Sequence, residues 1–258
     1  MKIICLTENT SSRDDLSYEH GLSLYVEAAG KKILFDMGQT DIFLRNAEKL
    51  NVDLTDVDIA VLSHGHYDHG GGLSAFLEVN RKAPVYVSHY AFLPYYNGLE
   101  KYIGLDTTLQ NNDRIVFTDS AVSIADGVTL YPYSAVTLAD PILSGGLNKV
   151  VDSAFVPDDF LHEQYLMISE NGKNVLISGC SHRGIYNIVK SFTPDVLIGG
   201  FHFSKLPLDE VLVKYADELG CFETDYYTCH CTGEAQFEFM KSRMKRLHYL
   251  RAGDVLEL

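Results

Sequence analysis

One short segment, Ser63–Gly70, holds the residues of this 258-residue chain whose chemistry is easiest to recognise. Its sequence, Ser-His-Gly-His-Tyr-Asp-His-Gly, provides the imidazoles of His64, His66 and His69 and the carboxylate of Asp68. Neutral imidazole nitrogen and carboxylate oxygen are donors that zinc, iron and manganese accept. Alternate side chains of an extended segment point to the same side, so His64 and His66 can bind one ion. Asp68 and His69 are adjacent and point in different directions, which suits a second ion close by.

The stretches on either side of this segment place its donors at the end of a buried strand. Asp58–Leu62 is a short, nearly continuous apolar run, which is typical of such a strand. The glycines at 70–72 let backbone come close to whatever the loop holds, and residues 74–80 are predicted to form a short helix. Ligands beyond the carboxyl end of a buried strand, followed by a helix, match the usual position of sites in layered α/β folds.

Three later loops repeat this arrangement, with a histidine and a glycine just after a predicted strand. They are Ile177–Gly184 with Cys180 and His182, Ile198–Phe203 with His202, and Tyr227–Gly233 with His230. Because four donors do not complete two ions, these loops supply further candidates. His182 and His230 are candidate ligands, whereas His202 is predicted to stand beside the ligands or to contact a substrate phosphate. The remaining histidines of interest are interpreted as ordinary polar positions: His20, His89 and His248.

Composition and charge limit the partners. With 21 basic and 35 acidic residues, the chain has a net charge of −14, which repels nucleic-acid phosphates. No apolar stretch approaches the roughly 20 residues needed to span a bilayer, and the first apolar run is too short for a signal-peptide core. The five cysteines are scattered and odd in number, unlike a secreted disulfide framework. We therefore expect a cytoplasmic protein that acts on a small-molecule substrate, without nucleic-acid or membrane partners and with no indication of its oligomeric state.

Predicted strands and helices fall into two similar halves. The first half has predicted strands at Lys2–Leu6, Leu22–Ala28, Lys32–Phe35, Ile59–Leu62 and Val85–Ser88, and helices at Asp41–Leu50 and Ser74–Asn80. The second half has predicted strands at Val128–Pro132, Tyr165–Ser169, Asn174–Ser178, Val196–Gly199 and Tyr226–Cys229, and helices at Gly184–Lys190, Pro207–Leu219 and Glu234–Lys245. This α/β pattern predicts two sheets packed face to face with helices outside.

Between the halves, residues 86–159 are predicted to be an irregular, tyrosine-rich region that acts as a lid or wall over the site. Its aromatic residues are Tyr86, Tyr90, Phe92, Tyr95, Tyr96, Tyr102, Tyr131 and Tyr133. A tyrosine combines an apolar ring with a polar tip, which suits the wall of a wet substrate site. The alternative is that these rings fill the core.

Together these motifs resemble the metallo-β-lactamase superfamily. The pattern His64-x-His66-x-Asp68-His69, with Leu34–Gly38 upstream, carries the resemblance. Four more motifs resemble a branch with predicted metal-dependent hydrolases and the dihydropterin ribofuranosylaminobenzene phosphate synthase of methanopterin pathways: Glu19–Ser23, Gly179–His182, Gly199–His202 and His230–Gly233. The resemblance covers essentially the whole chain and implies a single domain over residues 1–258. It implies a four-layer αββα sandwich of two mixed sheets, with the metal site at one edge of both.

The resemblance also implies a role for each metal-site residue. The first ion would be bound by His64 and His66, and the second by Asp68, His69 and His230. The aspartate that usually bridges the ions is missing: Cys180 stands in its place, and His182, two positions later, is predicted to complete the first set. Cys180 is kept as a further ligand or neighbour, and His162 as an alternative to His182. Asp36 is implied to orient a ligand histidine through a hydrogen bond.

The predicted activity is hydrolysis of an ester, phosphoester or related bond of a small anionic metabolite by a metal-activated hydroxide. One or two divalent ions, zinc before iron or manganese, would lower the pKa of bound water from about 15.7 to about 7. Asp68 is the predicted catalytic carboxylate, because it can take a proton as well as bind an ion. Two alternatives stay open: a transferase of the synthase type that displaces diphosphate, and a metal-binding sensor without turnover. Without a bridging carboxylate the second ion would be bound more weakly, so a centre that holds only one ion is also open.

Overall fold

Eighteen strands and six α-helices make up the computed structural model, which describes residues 1–258. The strands are β1 (Lys2–Thr7), β2 (Ser23–Ala28), β3 (Lys31–Phe35), β4 (Ile59–Val61), β5 (Val85–Ser88), β6 (Tyr95–Asn97), β7 (Lys101–Tyr102), β8 (Ile115–Thr118), β9 (Val122–Ala125), β10 (Val128–Pro132), β11 (Leu147–Val151), β12 (Ala154–Pro157), β13 (Gln164–Glu170), β14 (Lys173–Ile177), β15 (Val196–Ile198), β16 (Asp225–Thr228), β17 (Leu247–Tyr249) and β18 (Val255–Glu257). The helices are α1 (Ile42–Lys49), α2 (Tyr67–Gly70), α3 (Leu73–Val79), α4 (Ile185–Phe192), α5 (Glu210–Leu219) and α6 (Glu234–Lys241). Every predicted strand and helix is present, with ends that differ by four residues or fewer. No helix combines the length and the apolar character that a bilayer crossing requires.

Two sheets of seven strands pack face to face. The strand order is β18-β1-β2-β3-β4-β5-β8 in the first sheet and β17-β16-β15-β14-β13-β10-β9 in the second. Their inner faces share one apolar core, in which Val26 and Phe35 of the first sheet cluster with Leu166 and Ile177 of the second. All four side chains are fully buried, and removal of such faces from water is the main force that holds the sheets together.

Helices cover the outer face of each sheet. On the first sheet, Phe43 of α1 and Phe76 of α3 belong to one apolar cluster with Leu34 of β3. On the second sheet, Ile188 of α4 and Leu212 of α5 belong to the cluster that covers its outer face. The predicted four-layer αββα sandwich is therefore confirmed.

Residues 86–159 are not irregular as predicted. They contain a third sheet, with the strand order β12-β11-β6-β7, and strands β8, β9 and β10 extend the two main sheets. The strands of the third sheet are only two to five residues long, which leaves too little alternation to recognise in the sequence. In this sheet the ring of Tyr96 packs edge-on against Tyr102 and Phe155, so part of the tyrosine cluster is structural.

The loops with the metal-binding motifs follow parallel strands. In the first sheet β3 and β4 are parallel, with Phe35 opposite Val61. In the second sheet β14, β15 and β16 are parallel, with Ile177, Ile198 and Tyr227 in register. Because parallel strands end at the same edge of a sheet, the loops that follow them are brought side by side.

Candidate metal centre

The first donor group consists of His64, His66 and His182. One ring nitrogen of each lies within 4.8 Å of the others, and all three residues are buried. The Nε2 atoms of His64 and His66 and both ring nitrogens of His182 have no hydrogen-bond partner. Burying an unpaired polar group costs about 1–3 kcal/mol, so three such rings at one point indicate a shared ligand. A divalent ion that accepts imidazole nitrogen satisfies all three.

A chain of hydrogen bonds fixes the direction of the His64 ring. The Ser63 hydroxyl donates to Asp36 Oδ2 at 2.7 Å and therefore accepts from His64 Nδ1 at 2.8 Å. The lone pair of His64 Nε2 is thereby left for the donor group. Gly179 packs against the Ser63 hydroxyl so closely that a Cβ there would collide with it, which explains the glycine of the Gly-Cys-Ser-His motif.

The second donor group is mixed in its chemistry. His69 Nε2 lies 3.1 Å from Cys180 Sγ and 3.2 Å from His230 Nε2. Asp68 Oδ2 lies 3.4 Å from His230 Nε2 and 3.2 Å from His20 Nε2. Imidazole, carboxylate and thiol donors together suit borderline ions such as zinc and iron better than hard ions such as magnesium.

Buried polar side chains orient His69 and His230. Asp36 Oδ2 accepts a hydrogen bond from His69 Nδ1 at 2.7 Å, which is the kind of orienting contact expected of Asp36. Asn9 Oδ1 accepts from His230 Nδ1 at 2.7 Å, and Glu8 Oε1 accepts from the His230 backbone nitrogen at 2.6 Å. In both rings Nε2 is left to face the other donors. Such contacts fix the tautomer of metal-binding histidines and raise their basicity.

His162 lies beside the first group, but both of its ring nitrogens have protein partners. Nδ1 accepts from the backbone nitrogen of Gly65 at 2.9 Å, and Nε2 donates to Asp158 Oδ2 at 3.0 Å. Donor atoms of His66, Asp158 and His162 do come within 4.8 Å of one another, yet these bonds make His162 a support of the ligand loop. The geometry thus favours His182 as the third nitrogen of the first group.

His202 lies at the border of the first group. Its ring centroid is 4.4 Å from that of His182, but its nitrogens belong to none of the close donor groups. Its backbone φ of 57° is a left-handed conformation, which costs roughly 1–3 kcal/mol and is often found at functional sites. This geometry agrees with a place beside the ligands rather than among them.

The surroundings keep most of these histidines neutral. Burial, followed by the charges of neighbouring histidines, holds the pKa of His64 and His182 well below the usual value. Burial also lowers the pKa of His230 to about 4. For His69 burial acts in the same direction, but the contact with Asp36 outweighs it and raises the pKa. Neutral imidazole is the form that binds a metal, so the donor set fits a divalent cation.

A cavity of about 140 Å³ opens onto both donor groups. The donor residues in its wall are His20, His66, Asp68, Cys180, His182 and His230, and other lining residues include Tyr67, Asn97, Lys101, His202 and Lys205. Its volume is that of about five water molecules, which is enough for the reacting group of a small substrate. A larger groove of about 850 Å³ around Met1 and Leu258 contains none of the donor residues, so the chemistry belongs to the smaller cavity.

None of the eight aromatic residues expected to form a wall lines this cavity. Tyr95 is buried behind it, with its ring 4.1 Å from that of His162, and Tyr96 and Tyr102 belong to the third sheet. The aromatic residue that does line the cavity is Tyr67, from the ligand loop itself. The expectation of a tyrosine wall was therefore wrong: of the eight rings, Phe92 and Tyr95 are buried, Tyr102 is exposed and the other five are half-buried away from the cavity.

Three residues of the centre are not predicted from the sequence. His20 was interpreted as an ordinary polar position, yet it contacts Asp68 and forms a donor group with Asp68 and His230. The signal was available, because Glu19-His20-Gly21 belongs to one of the motifs that carried the resemblance. Glu8 and Asn9 gave no signal, because they act on His230 from more than 200 positions away.

Comparison with known proteins agrees with this fold. The model of the metallo-β-lactamase superfamily matches residues 18–218. The chain therefore belongs to the metallo-β-lactamase superfamily, which binds divalent metal ions such as zinc. The resemblance noted in the motifs is thus confirmed.

Relatives extend over nearly the whole chain. An uncharacterized protein of Methanocaldococcus jannaschii is 31% identical over 244 residues, covering 88% of this chain and 89% of that protein. The 7,8-dihydropterin-6-methyl-4-(β-D-ribofuranosyl)-aminobenzene-5′-phosphate synthase of the same organism is 26% identical over 287 residues, covering 100% of this chain and 96% of that protein. Among solved structures, a metal-dependent hydrolase of the β-lactamase superfamily matches with a TM-score of 0.85 and 30% identity, over 100% of this chain and 99% of that one.

Proposed function

We propose that this protein is a metal-dependent hydrolase that cleaves an ester, phosphoester or related bond in a small anionic molecule. The observation that carries the proposal is the set of buried, unpartnered imidazole nitrogens of His64, His66 and His182 beside the cavity. Buried polar atoms in native proteins nearly always have partners, and a cation would supply one here. The solved metal-dependent hydrolase that matches the whole chain at 30% identity supports the same class of activity.

The two donor groups would hold one ion each. The first would be held by His64, His66 and His182, and the second by Asp68, His69 and His230, with Cys180 beside them. Ions of this kind lower the pKa of coordinated water from about 15.7 to about 7 and polarise the bond to be cleaved. We favour zinc over iron, and both over manganese, because a thiol stands among the donors. Anomalous diffraction at the absorption edges of these three elements would identify the ions and count them.

Asp68 is the proposed catalytic carboxylate. It is the one carboxylate that lines the cavity. Burial raises its pKa, but hydrogen bonds from His20 and His230 outweigh burial and bring the pKa well below the usual value. Asp68 is therefore ionised near neutral pH and can either accept a proton from the reacting water or bind the second ion.

The second candidate function is group transfer with displacement of diphosphate. It is favoured by the archaeal synthase that matches the whole chain at 26% identity. The missing tyrosine wall counts against it, because an aromatic acceptor would have only Tyr67 on which to stack. Product analysis with a pterin diphosphate separates the two, since a hydrolase forms only an alcohol and pyrophosphate whereas a transferase forms an adduct.

The direct test compares bound metal and hydrolysis in the wild type, His66→Ala and His230→Ala. We expect each variant to lose metal, and His66→Ala to lose the most, because the Nε2 atom of His66 has no hydrogen-bond partner in the protein. His248→Ala is the matched control, since this ring stacks on Tyr227 away from both donor groups. Unchanged metal content in both site variants would exclude the proposed site. Metal binding without hydrolysis across ester, phosphodiester and lactone panels would instead indicate a sensor.

We also propose that the protein works in the cytoplasm. All five cysteines are free thiols, and four of them are buried. A reducing compartment keeps thiols in this state. Cell fractionation with an antibody against the protein tests this location.

A further inference from the structure

Two lysines of the cavity wall stand out in a protein that is strongly acidic. The chain has a net charge of −14. The charged residues that line the cavity, apart from its histidines, are nevertheless Lys101, Lys205 and Asp68. Some basic side chains elsewhere are paired with carboxylates: Lys32 pairs with Asp56 at 3.0 Å, and Arg45 pairs with Asp41 at 2.7 Å.

Neither lysine of the cavity has a carboxylate partner. Lys101 Nζ donates to the hydroxyl of Tyr67 at 3.1 Å and lies 5.2 Å from the centroid of the same ring. Its ammonium is therefore held in place by a neutral group that leaves its charge uncompensated. Tyr67 stands between His66 and Asp68 in the chain, so this tether connects Lys101 directly to the ligand loop.

Lys205 reaches the same cavity from another segment, the loop after β15. It lines the cavity together with His182 and His202. Ser204 and Asn97 also line the cavity and add neutral hydrogen-bond donors. Two unpaired cations and neutral donors around about 140 Å³ match a small oxyanion with two negative charges.

We propose that Lys101 and Lys205 form an anion subsite that binds a terminal, dianionic phosphoryl group of the substrate. This proposal rests on the proposed function and deepens it. It defines the substrate as a phosphate monoester, and the bond that is cleaved lies at the metal centre. Lysine serves here as a point charge, which binds phosphate through charge rather than through a fixed fork of donors. The lysines determine specificity and take no part in bond cleavage.

The experiment measures the affinity of the metal-loaded protein for inorganic phosphate and for dimethyl phosphate by calorimetry at pH 8. Inorganic phosphate is a dianion at this pH and dimethyl phosphate is a monoanion. We expect K101M/K205M to bind inorganic phosphate about tenfold more weakly and dimethyl phosphate about threefold more weakly, because attraction scales with charge. Raising the ionic strength should shrink both differences.

The matched control is K190M/K241M, which removes the same charge from two lysines that, like Lys101, lie over aromatic rings. Lys190 is 5.6 Å from the centroid of Tyr186 and Lys241 is 5.2 Å from that of Phe237, and neither lines the cavity. Affinity in this control should change less than twofold. Unchanged phosphate affinity in K101M/K205M would overturn the subsite, and equal losses for both anions would overturn its assignment to a dianion. Metal content is measured in every variant. It separates a failure of the anion subsite, which K101M/K205M tests, from a failure of the proposed function, which His66→Ala tests.

Discussion

The two donor groups of the metal centre differ in chemistry and in what their atoms already contact. In the first group, the nitrogens of His64, His66 and His182 that face one another have no hydrogen-bond partners. In the second group the donors are mixed, and three pairs of them are in contact: His69 with Cys180 at 3.1 Å, His69 with His230 at 3.2 Å, and Asp68 with His230 at 3.4 Å. A donor that already has a partner loses that contact when it binds a cation. We therefore expect the first group to bind its ion more tightly than the second.

The largest effect should come from removing the third nitrogen of the first group. His182→Ala is expected to weaken metal binding more than about a hundredfold, because it removes a ligand and not only a supporting contact. His162→Ala should weaken metal binding only about tenfold, because it removes a hydrogen bond to the backbone at Gly65 and no ligand. Chelator competition measures both. A larger loss in the His162 variant would reverse the assignment of the first group.

Asp36→Asn should affect both groups at once. The Asp36 carboxylate accepts from the backbone and hydroxyl of Ser63 as well as from His69, and an amide offers only one acceptor oxygen to these donors. We expect metal affinity to fall about 10–100-fold at both positions. The free energy of unfolding should fall by about 1–3 kcal/mol because a buried donor is left unpaired. Metal titration measures the change in affinity, and urea denaturation measures the change in stability. If only one ion were affected, the inference that Asp36 supports both donor groups, the first of them through Ser63, would be wrong.

Asn9→Ala should act on the second group alone. It removes the acceptor that fixes the His230 tautomer. We therefore expect the affinity for the second ion to fall about tenfold and the affinity for the first ion to stay unchanged. Asn9→Asp keeps the acceptor and should lose less affinity for the second ion than Asn9→Ala. During stepwise chelation of the variant, the second ion should leave earlier than in the wild type, whereas simultaneous release of both ions would argue against two separate groups.

The smallest effect is expected for His20→Ala. The His20 side chain is 56% exposed, so its contact with Asp68 is screened by water. We expect the affinity of the second ion to fall by only a few fold. The same titration serves as the measurement. A loss as large as that in His230→Ala would show that His20 is a full ligand and that the second group extends further toward solvent.

The sequence predicted those parts of the protein that local patterns record. Buried strands gave continuous apolar runs, and the donor residues stood just after them, so both the sandwich and the donor loops could be anticipated. The third sheet could not, since strands as short as Lys101–Tyr102 leave almost no periodic signal. The prediction of a tyrosine wall was wrong for a related reason, because composition says which residues are aromatic but not which surface they face.

By itself the sequence determined the kinds of donor available: three imidazoles and a carboxylate in Ser63–Gly70, and further histidines after later strands. Only the tertiary structure favours His182 over His162 as the third ligand of the first group. The choice depends on hydrogen bonds to Gly65 and Asp158, one of which joins residues 97 positions apart. The direction of an imidazole lone pair is set by the partner of its other nitrogen, and chain folding, not residue type, supplies that partner.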